Sequence, residues 1–373
     1  MPCELAPASF RVLLSDGILP LTNLTRTIHP VGQGAFYSEK FNLRRKKFTV
    51  VYDCGSNNNK EDLRSEIHEF STVNLIFISH FHNDHINGIK EIQQKGKQNP
   101  LILIPGISHY AFVIDLISNY LHTGDKDCDS ISFMLDCLPA LSSARNNNNG
   151  QNQIIIGQDI SLRSRIIVVQ EGLKSIGTSD PTDSSRDSFL WRYDAYFHEY
   201  DKTKEKELID QLSRIIPILA AHKSDDFKDE GWYRDLIEGL SRLKLGDIKK
   251  VFTNAFEGSQ NRYSMLVHSY PVDKNLKNMD CLYTGDIPIT ESVKNTIISI
   301  MPHYIQVPHH GSEHNHDENI YNEHQIAFIS VGQNNRYEHP HRKTLIGLIQ
   351  KCKTVHMVSE EKCSKYKCRF KLK

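Results

Sequence analysis

The heptapeptide Ser79-His80-Phe81-His82-Asn83-Asp84-His85 decides how this chain is read. It follows an apolar run, residues 73–79, with the length and composition of a buried strand, and it precedes an amphipathic stretch, 86–95, that reads as a helix. Its imidazoles and carboxylate fall in the order HxHxDH. Histidines at i and i+2 of an extended chain project to one side, and the Asp-His pair after a one-residue gap turns toward a second position beside the first. Borderline divalent ions such as Zn²⁺ take these nitrogen and oxygen donors at about 2.0–2.2 Å. His80, His82, Asp84 and His85 therefore read as metal ligands.

Composition bounds what surrounds this motif. The chain has 373 residues, 39% hydrophobic and 24% charged, which suits a globular protein with a sizeable core. Lys plus Arg and Asp plus Glu both number 45, so whole-chain charge makes no case for nucleic acid, and a polyanion site has to be a local patch. The 19 histidines are many for this length, and several crowd into three short segments. No run approaches the ~18–20 apolar residues of a membrane span, and the first twenty residues lack the pattern of a signal peptide. Eight scattered cysteines then favour reduced thiols and a cytoplasmic location. Cys363 and Cys368 are spaced CxxxxC and would need Cys352 and His356 to make a structural zinc site; the alternative is ordinary thiols in a C-terminal strand pair.

Along the chain, residues 27–56 alternate as strands, 60–70 reads as a helix and 101–104 as a strand closed by Pro105-Gly106. From 108 to 250 the character changes. Helical periodicity appears at 109–121, 129–145, 203–221 and 232–245, short strands at 154–156 and 166–170, a polar turn at 146–150, and a Ser-, Asp- and Thr-rich loop at 177–186. Strand signals resume at 250–253, 264–268, 281–284, 304–307 and 327–331. The expected division is a first half-domain over 1–107, a mostly helical insertion over 108–250 (a substrate cover or partner-docking element), and a second half-domain over 251–373. The basic tail 362–373 reads as a strand or a solvated end.

With the motif in place, the sequence resembles the metallo-β-lactamase superfamily. Tyr52-Asp53-Cys54-Gly55 is similar to the family's strand-ending Asp-x-Gly, Tyr283-Thr284-Gly285-Asp286 to its TGD segment, and Val307-Pro308-His309-His310-Gly311-Ser312 to the strand end that supplies the last histidine. Val31-Gly32-Gln33-Gly34, Asn261-Arg262-Tyr263-Ser264 and the run Ser330–His341, which ends Tyr337-Glu338-His339-Pro340-His341, look like the ComEC-like branch of competence hydrolases. The resemblance implies an α/β (α+β) fold, a four-layer αββα sandwich, holding two divalent ions, Zn²⁺ or Mn²⁺. It implies Asp286 as a bridging ligand and His310 as the last one. Asp53 supports a ligand histidine, His309 orients or faces substrate, and His339 or His341 stands as an alternative ligand or supporting group. The histidine that many members place before TGD has no match.

By this likeness the chain is a metal-dependent hydrolase, with a nuclease or phosphodiesterase acting on DNA or RNA as the leading expectation. Asp84 would bind metal and orient the attacking hydroxide, and His339, or less readily His341, would protonate the leaving group or grip a phosphate oxygen. A helix-capping role for His339 competes with the chemical one. Arg336 and Tyr337 are candidate substrate contacts, and the basic segment 44–47 is either a polyanion guide or a solvated hairpin turn. Asn261 and Ser264 read as structural hydrogen bonders. Two other readings stay open: a hydrolase of a small ester, lactone or phosphocholine-like diester, and a partner-regulated effector of a multi-gene, phage-defence type of system.

Overall fold

Strands with period-two patterning build the framework, and most helices are added between them. The computed structural model describes residues 11–12, 21–43, 47–58, 60–95, 99–146, 166–170, 172–176, 191–198, 202–221, 224–255, 263–271, 273–333 and 335–371. A short β1 (Arg11–Val12) precedes the meander β2 (Leu21–Ile28), β3 (Phe36–Leu43) and β4 (Lys47–Cys54). Helix α1 (Lys60–His68) leads to β5 (Leu75–Phe77), the short helices α2 (Asn83–Ile86) and α3 (Ile89–Lys95), and β6 (Leu101–Pro105). Two longer helices, α4 (His109–Thr123) and α5 (Asp129–Asn146), come before β7 (Ile166–Val169), β8 (Gly172–Ile176) and β9 (Trp191–Phe197). Next are α6 (Thr203–Leu212), α7 (Pro217–Ala220), α8 (Glu230–Ser241) and α9 (Leu245–Ala255). The last third runs β10 (Met265–Pro271), β11 (Cys281–Tyr283), α10 (Glu291–Ile300), β12 (Tyr304–Gln306), β13 (Ile326–Ser330), α11 (Arg342–Lys351), β14 (Thr354–Val358) and β15 (Tyr366–Lys371).

Among the described residues these strands form two sheets. One has the order β15-β2-β3-β4-β5-β6-β7, the other β1-β9-β10-β11-β12-β13-β14 with β8 also paired to β9. Alternating side chains decide how they stack. Met265 and Val267 of β10, Cys281 and Tyr283 of β11, and Phe328 of β13 belong to the core shared with the first sheet. Their neighbours Leu266, Leu282, Ala327 and Ile329 point the other way, against Val293 and Ile297 of α10 and Leu348 of α11. On the far side, α1 buries Leu63 and Ile67, and α3 buries Ile89 and Ile92. The layers are therefore helix, sheet, sheet, helix, as the family resemblance implied.

One buried ion pair ties the two sheets together. Arg26 of β2 donates from Nε and Nη2 to Glu39 Oε1 of β3 at 2.8 and 2.7 Å. Across the interface, Tyr193 and Ser269 hydroxyls donate to Glu39 Oε2, both at 2.6 Å, and the Tyr283 hydroxyl to Oε1 at 3.1 Å. A buried carboxylate is tolerated when its lone pairs are filled in this way.

One expectation changes, and one left open is decided. Residues 250–253 lie in α9, not in a strand; Ile248 and Phe252, both buried, stand four apart on one helical face. The basic tail is an ordered edge strand, since β15 pairs antiparallel with β2 and alternates half-buried with exposed residues. The segment 108–250 is not wholly separate from the sandwich: β7 pairs with β6 in one sheet, and β8 and β9 join the other. Helix α5 packs against β7, α4 against α5, α6 and α8, and α6 against α9. Among the described residues no helix is long and apolar enough to cross a membrane. Arg44, Arg45, Lys46, Asn261, Arg262 and Asn334, residues 147–150, the expected strand 154–156 and the loop 177–186 lie outside the described residues.

Candidate metal centre

The site collects where strands of both sheets end. Strands β4 and β5 run parallel, as do β11, β12 and β13 in the other sheet. Asp53 sits at the end of β4, the HxHxDH loop follows β5, Asp286 follows β11, His309 and His310 follow β12, and His339 follows β13. Parallel pairing thus delivers residues distant in sequence to one edge.

Asp53 organises the loop. Its Oδ1 accepts the Ser79 amide at 2.7 Å, and its Oδ2 accepts the Ser79 hydroxyl at 2.6 Å and His85 Nδ1–H at 2.8 Å. Asn119 of α4 donates from its side chain to the Phe81 carbonyl at 2.7 Å and pins the loop from the other side. Gly55 lies flat against the same loop, where a Cβ would come within 2.5 Å of the Asp84 carbonyl oxygen and the His85 nitrogen.

The TGD segment is held by Gln306, whose side-chain oxygen accepts the Thr284 and Gly285 amides at 3.0 and 3.1 Å. Gly285 takes a left-handed φ of 55°, and a Cβ there would meet Ser264 Oγ at 2.2 Å and Ser79 Cβ at 2.6 Å. Beyond β12, His309 and His310 both adopt left-handed backbone, with φ of 48° and 52°. That strain, rare for residues with a Cβ, turns both rings inward. His310 Nδ1 donates to the Ser330 carbonyl at 2.8 Å and His309 Nδ1 to Asn315 Oδ1 at 2.8 Å.

Two compact groups of donor atoms result: His80, His85 and Asp286, and Asp84, His85 and His310. His85 Nε2 is 3.4 Å from Asp286 Oδ1, His80 Nε2 is 3.9 Å from Asp286 Oδ2, and His310 Nε2 is 3.7 Å from Asp84 Oδ2. The Nε2 atoms of His80, His85 and His310 are buried without a hydrogen-bond partner, while Nδ1 of each ring is engaged by Ser79, Asp53 and Ser330 respectively. Leaving such atoms buried is costly, and the pattern matches that of metal-binding imidazoles, whose far nitrogen is fixed by a second group. The residues fit a divalent ion.

The electrostatics agree. Burial works against the charge on Asp84 and Asp286, yet the surrounding imidazoles hold both carboxyls below the usual carboxylate range. Burial likewise opposes protonation of His85 and His310, and the carboxylates outweigh it and raise both. His80 is pushed well below its ordinary value by burial and by His85 and His82. The cluster thus balances its two carboxylates with positive charge on imidazole, the charge a cation would supply in exchange for protons.

Of the other residues singled out by sequence, His82 stands outside both compact groups; its ring is 4.6 Å from that of His80, and its Nε2 is 3.8 Å from Asp115 Oδ1. His309 Nε2 faces Asp286 Oδ2 at 3.8 Å. His339 lies edge-on to the His309 ring at 5.2 Å and is held by Asn335 through its backbone. Burial and the neighbouring imidazoles lower its pKa to about 3. His341 accepts the Glu313 amide through Nδ1 at 3.0 Å. Arg336 rests over the exposed Tyr337 ring at 5.1 Å. Cys352, Cys363, Cys368 and His356 enter neither donor group, so the CxxxxC spacing does not gather a metal site among the described residues. The sequence reading passed over Asp115 and Asn119 and gave Tyr263 no role. Asp115, Ser118, Asn119 and His122 form a polar stripe at i, i+3, i+4 and i+7 on an otherwise apolar helix, and that stripe was the available signal.

Above the cluster opens a cleft of about 440 Å³ lined by His82, Asp84, Asn119, His122, Thr253, Asp286, His309, His310, Tyr337, His339 and His341, among others. The lining contains histidines, amides and hydroxyls; among the described residues it includes no Lys or Arg.

The sandwich and the cluster at its strand ends define the class, a metallo-β-lactamase-fold protein. A family model described as Anti-Pycsar protein Apyc1 matches residues 28–147, less than half of the chain. No curated relative matches the sequence. Among solved structures, the metallo-β-lactamase fold protein YhfI from Bacillus subtilis is 10% identical with a TM-score of 0.39, over 94% of this chain and 100% of that one. Human tRNase Z, short form, is 9% identical with a TM-score of 0.31, over 90% and 92% of the two chains. The metallo-β-lactamase SMB-1 bound to 2-mercaptoethanesulfonate is 10% identical with a TM-score of 0.30, over 79% and 82%. The ComEC-like branch finds no support in these comparisons; the family model that matches carries the anti-Pycsar description.

Proposed function

We propose that this protein is a metal-dependent phosphodiesterase that hydrolyses a small phosphodiester bound in the cleft. The observation that carries the reading is the convergence of three buried, unpartnered Nε2 atoms on Asp84 and Asp286 at the floor of a cleft without Lys or Arg in its described lining. Divalent ions, when bound, supply Lewis acidity, an activated water and neutralisation of a phosphodiester's charge. His80, His85 and Asp286 would hold one ion, and Asp84, His85 and His310 the neighbouring donors.

The chain's own groups do the rest. Asp84 lies at the cleft edge of the cluster, where its carboxylate can orient the attacking water. His309, fixed through Nδ1 by Asn315, turns Nε2 toward the site and can meet a phosphate oxygen. His339 is neutral at physiological pH because its pKa is depressed to about 3, so it serves better as a hydrogen-bond partner of the leaving oxygen than as a store of protons. Tyr337, backed by Arg336, offers a ring on which a flat group can stack.

A cleft of this volume is within the usual range for small-molecule sites. Polymer recognition draws on Lys and Arg contacts to successive phosphates, which the described lining does not supply. The polymer nuclease remains the second reading, favoured only by the phosphodiester chemistry itself. The anti-Pycsar description of the model matching residues 28–147 fits a defence-related setting for either substrate.

The test compares purified protein on an aryl phosphodiester, a cyclic nucleoside monophosphate, a phosphocholine diester, and single- and double-stranded DNA and RNA, with Mn²⁺ or Zn²⁺. Turnover of a small diester, lost in Asp84→Ala, supports the proposal. Cleavage of polymers with no turnover of small diesters would move the assignment to the nuclease, and full activity of Asp84→Ala would remove the mechanism.

A further inference from the structure

The outer face of the first sheet changes character along its strands. The chain that follows α1 lies over one end, where Phe70 packs 5.6 Å from Phe36 and the Ser38 hydroxyl meets His29 Nε2 at 2.8 Å. At the other end, ladder register sets polar side chains in rows across four strands. Arg369 of β15 stands beside Thr25 of β2, Thr25 beside Lys40 of β3, and Lys40 beside Thr49 of β4. One step along, Lys371, Asn23, Asn42 and Lys47 form the next row, and Lys367 beside Thr27 begins a third. The period of two puts all of them on one face, opposite Leu24, Phe41 and Phe48 of the core.

These rows line a concavity of about 500 Å³. Its described lining holds five cations, Lys40, Lys47, Lys367, Arg369 and Lys371, and one acid, Glu69, which Lys365 already engages at 2.8 Å. Lys40 is half-buried, its ammonium 4.1 Å over the Phe70 ring, and the other four cations are exposed. Burial lowers the Lys40 pKa, Glu69 raises it in part, and like charge from Lys367, Lys365 and Lys47 lowers it again. Gathering like charges costs the folded state, and a chain with no net charge does not produce such a cluster through overall basicity. The basic tail and Lys47, from the basic segment 44–47, thus meet in one surface. The cleft above the metal cluster shares none of this lining. Lys47 and Asp53 stand near opposite ends of β4, about 20 Å apart by strand rise.

We propose that this face binds the sugar-phosphate backbone of a nucleic-acid strand and docks the protein there, away from the cleft. Lys and Arg with Thr and Asn between them are side chains that contact phosphate and sugar. Alternate residues of β15 place successive cations about 7 Å apart, close to the separation of neighbouring phosphates along a strand. A phosphate backbone offers acceptors at that repeat, whereas an acidic peptide carries its charges on flexible side chains with no matching repeat. Of the rings in the described lining, Phe70 is 7% exposed and Phe370 projects from the opposite face of β15, toward Arg26. No platform for stacking bases is presented among them, so binding is indifferent to sequence. The face tethers the protein to nucleic acid without making the polymer its substrate, and the inference does not depend on the metal centre.

Fluorescence anisotropy of a labelled single-stranded oligonucleotide of mixed sequence, DNA or RNA, tests this on the full chain in EDTA, where the metal centre takes no part. Binding is expected to weaken as salt rises, with a log–log slope of about −2 to −3.5, for roughly three to five phosphates neutralised. Lys367→Glu with Arg369→Glu is expected to weaken it ~10-fold or more. Lys204→Glu with Lys206→Glu, the same charge change on exposed positions of α6, should leave it nearly unchanged. Lys367→Gln with Arg369→Gln removes charge without adding repulsion and serves should the reversed pair fail to fold. No binding at low salt, or equal losses in the β15 and α6 variants, would overturn the proposal. So would displacement of the strand by polyglutamate or tripolyphosphate as effective, at matched charge, as by unlabelled oligonucleotide; the occupant would then be an acidic protein segment or a small anion. Any of these failures leaves the proposed function standing, because turnover of small diesters is measured separately.

Discussion

Asp53 Oδ2 accepts the Nδ1 proton of His85 at 2.8 Å, and the opposite nitrogen of the same ring stands 3.4 Å from Asp286 Oδ1. One imidazole is thus clamped between a carboxylate at the end of β4 and another after β11, so the two sheets of the sandwich meet in a single side chain. The clamp fixes the tautomer of His85 and aims Nε2 into the cluster.

Asp53→Asn keeps the shape and tolerates the left-handed φ of 52°, yet its amide can no longer accept from both Ser79 and His85. Metal affinity is expected to fall ~10–100-fold, the range seen when groups behind a ligand are removed, with little change in far-ultraviolet circular dichroism. A metal titration in which wild type and variant coincide would show that His85 does not need this partner.

Gly285 and Gly124 both have positive φ, 55° and 66°, but only Gly285 is crowded; a Cβ at Gly124 meets nothing within 4 Å. Gly124→Ala should cost only the left-handed penalty, about 1–2 kcal/mol. Gly285→Ala should cost more, because Ser264 and Ser79 must also give way, and should displace Asp286 from His85. Urea unfolding of the two variants checks the ranking; equal losses would contradict it.

Glu39→Gln leaves Arg26 charged and buried between the sheets with only part of its compensation. The expected loss is about 3–5 kcal/mol, the usual effect of breaking a buried pair from one side. Chemical denaturation measures it, and a change below 1 kcal/mol would mean that the Arg26–Glu39 network does not hold the interface.

Acid should act first through His29 and then through Glu66. Burial lowers the His29 pKa from 6.5 to about 4, so between these values the unfolded chain binds a proton that the folded one does not, and stability falls as pH drops. Burial alone would raise Glu66, but its bonds to His29 and Lys365 lower it from 4.5 to about 2, so its contribution is present above 4.5 and lost as pH falls toward 2. Each window has a limiting slope of about 1.4 kcal/mol per pH unit. His29→Gln should flatten the upper window and, because the His29 bond also helps to lower Glu66, weaken the lower one. Unfolding midpoints measured from pH 7 to pH 4 decide it; an unchanged slope in the variant would contradict the assignment.

The dense motif made the HxHxDH loop legible in sequence, and Asp53, Asp286 and His310 followed from short segments of similar family pattern. Period-two alternation gave most of the strands. What stayed hidden depends on tertiary register. Asp115 reads as one acid in an apolar helix until α4 is laid beside His82, and Tyr263 reads as an ordinary aromatic until it reaches Asp115. Val251 and Phe252 look like strand residues in a four-residue window and become helical only when Ile248 is counted with them. The tail around Tyr366 to Lys371 is charged enough to pass for a solvated end, because an edge strand keeps one face in water.

Anomalous diffraction from crystals grown with Zn²⁺ or Mn²⁺, recorded at the absorption edge of the ion, tests the metal centre most directly. The account predicts peaks within about 2.0–2.3 Å of His80, His85, Asp286, Asp84 and His310 donor atoms. Crystals in which those five residues keep their positions, with no anomalous peak among them at saturating metal, would contradict it.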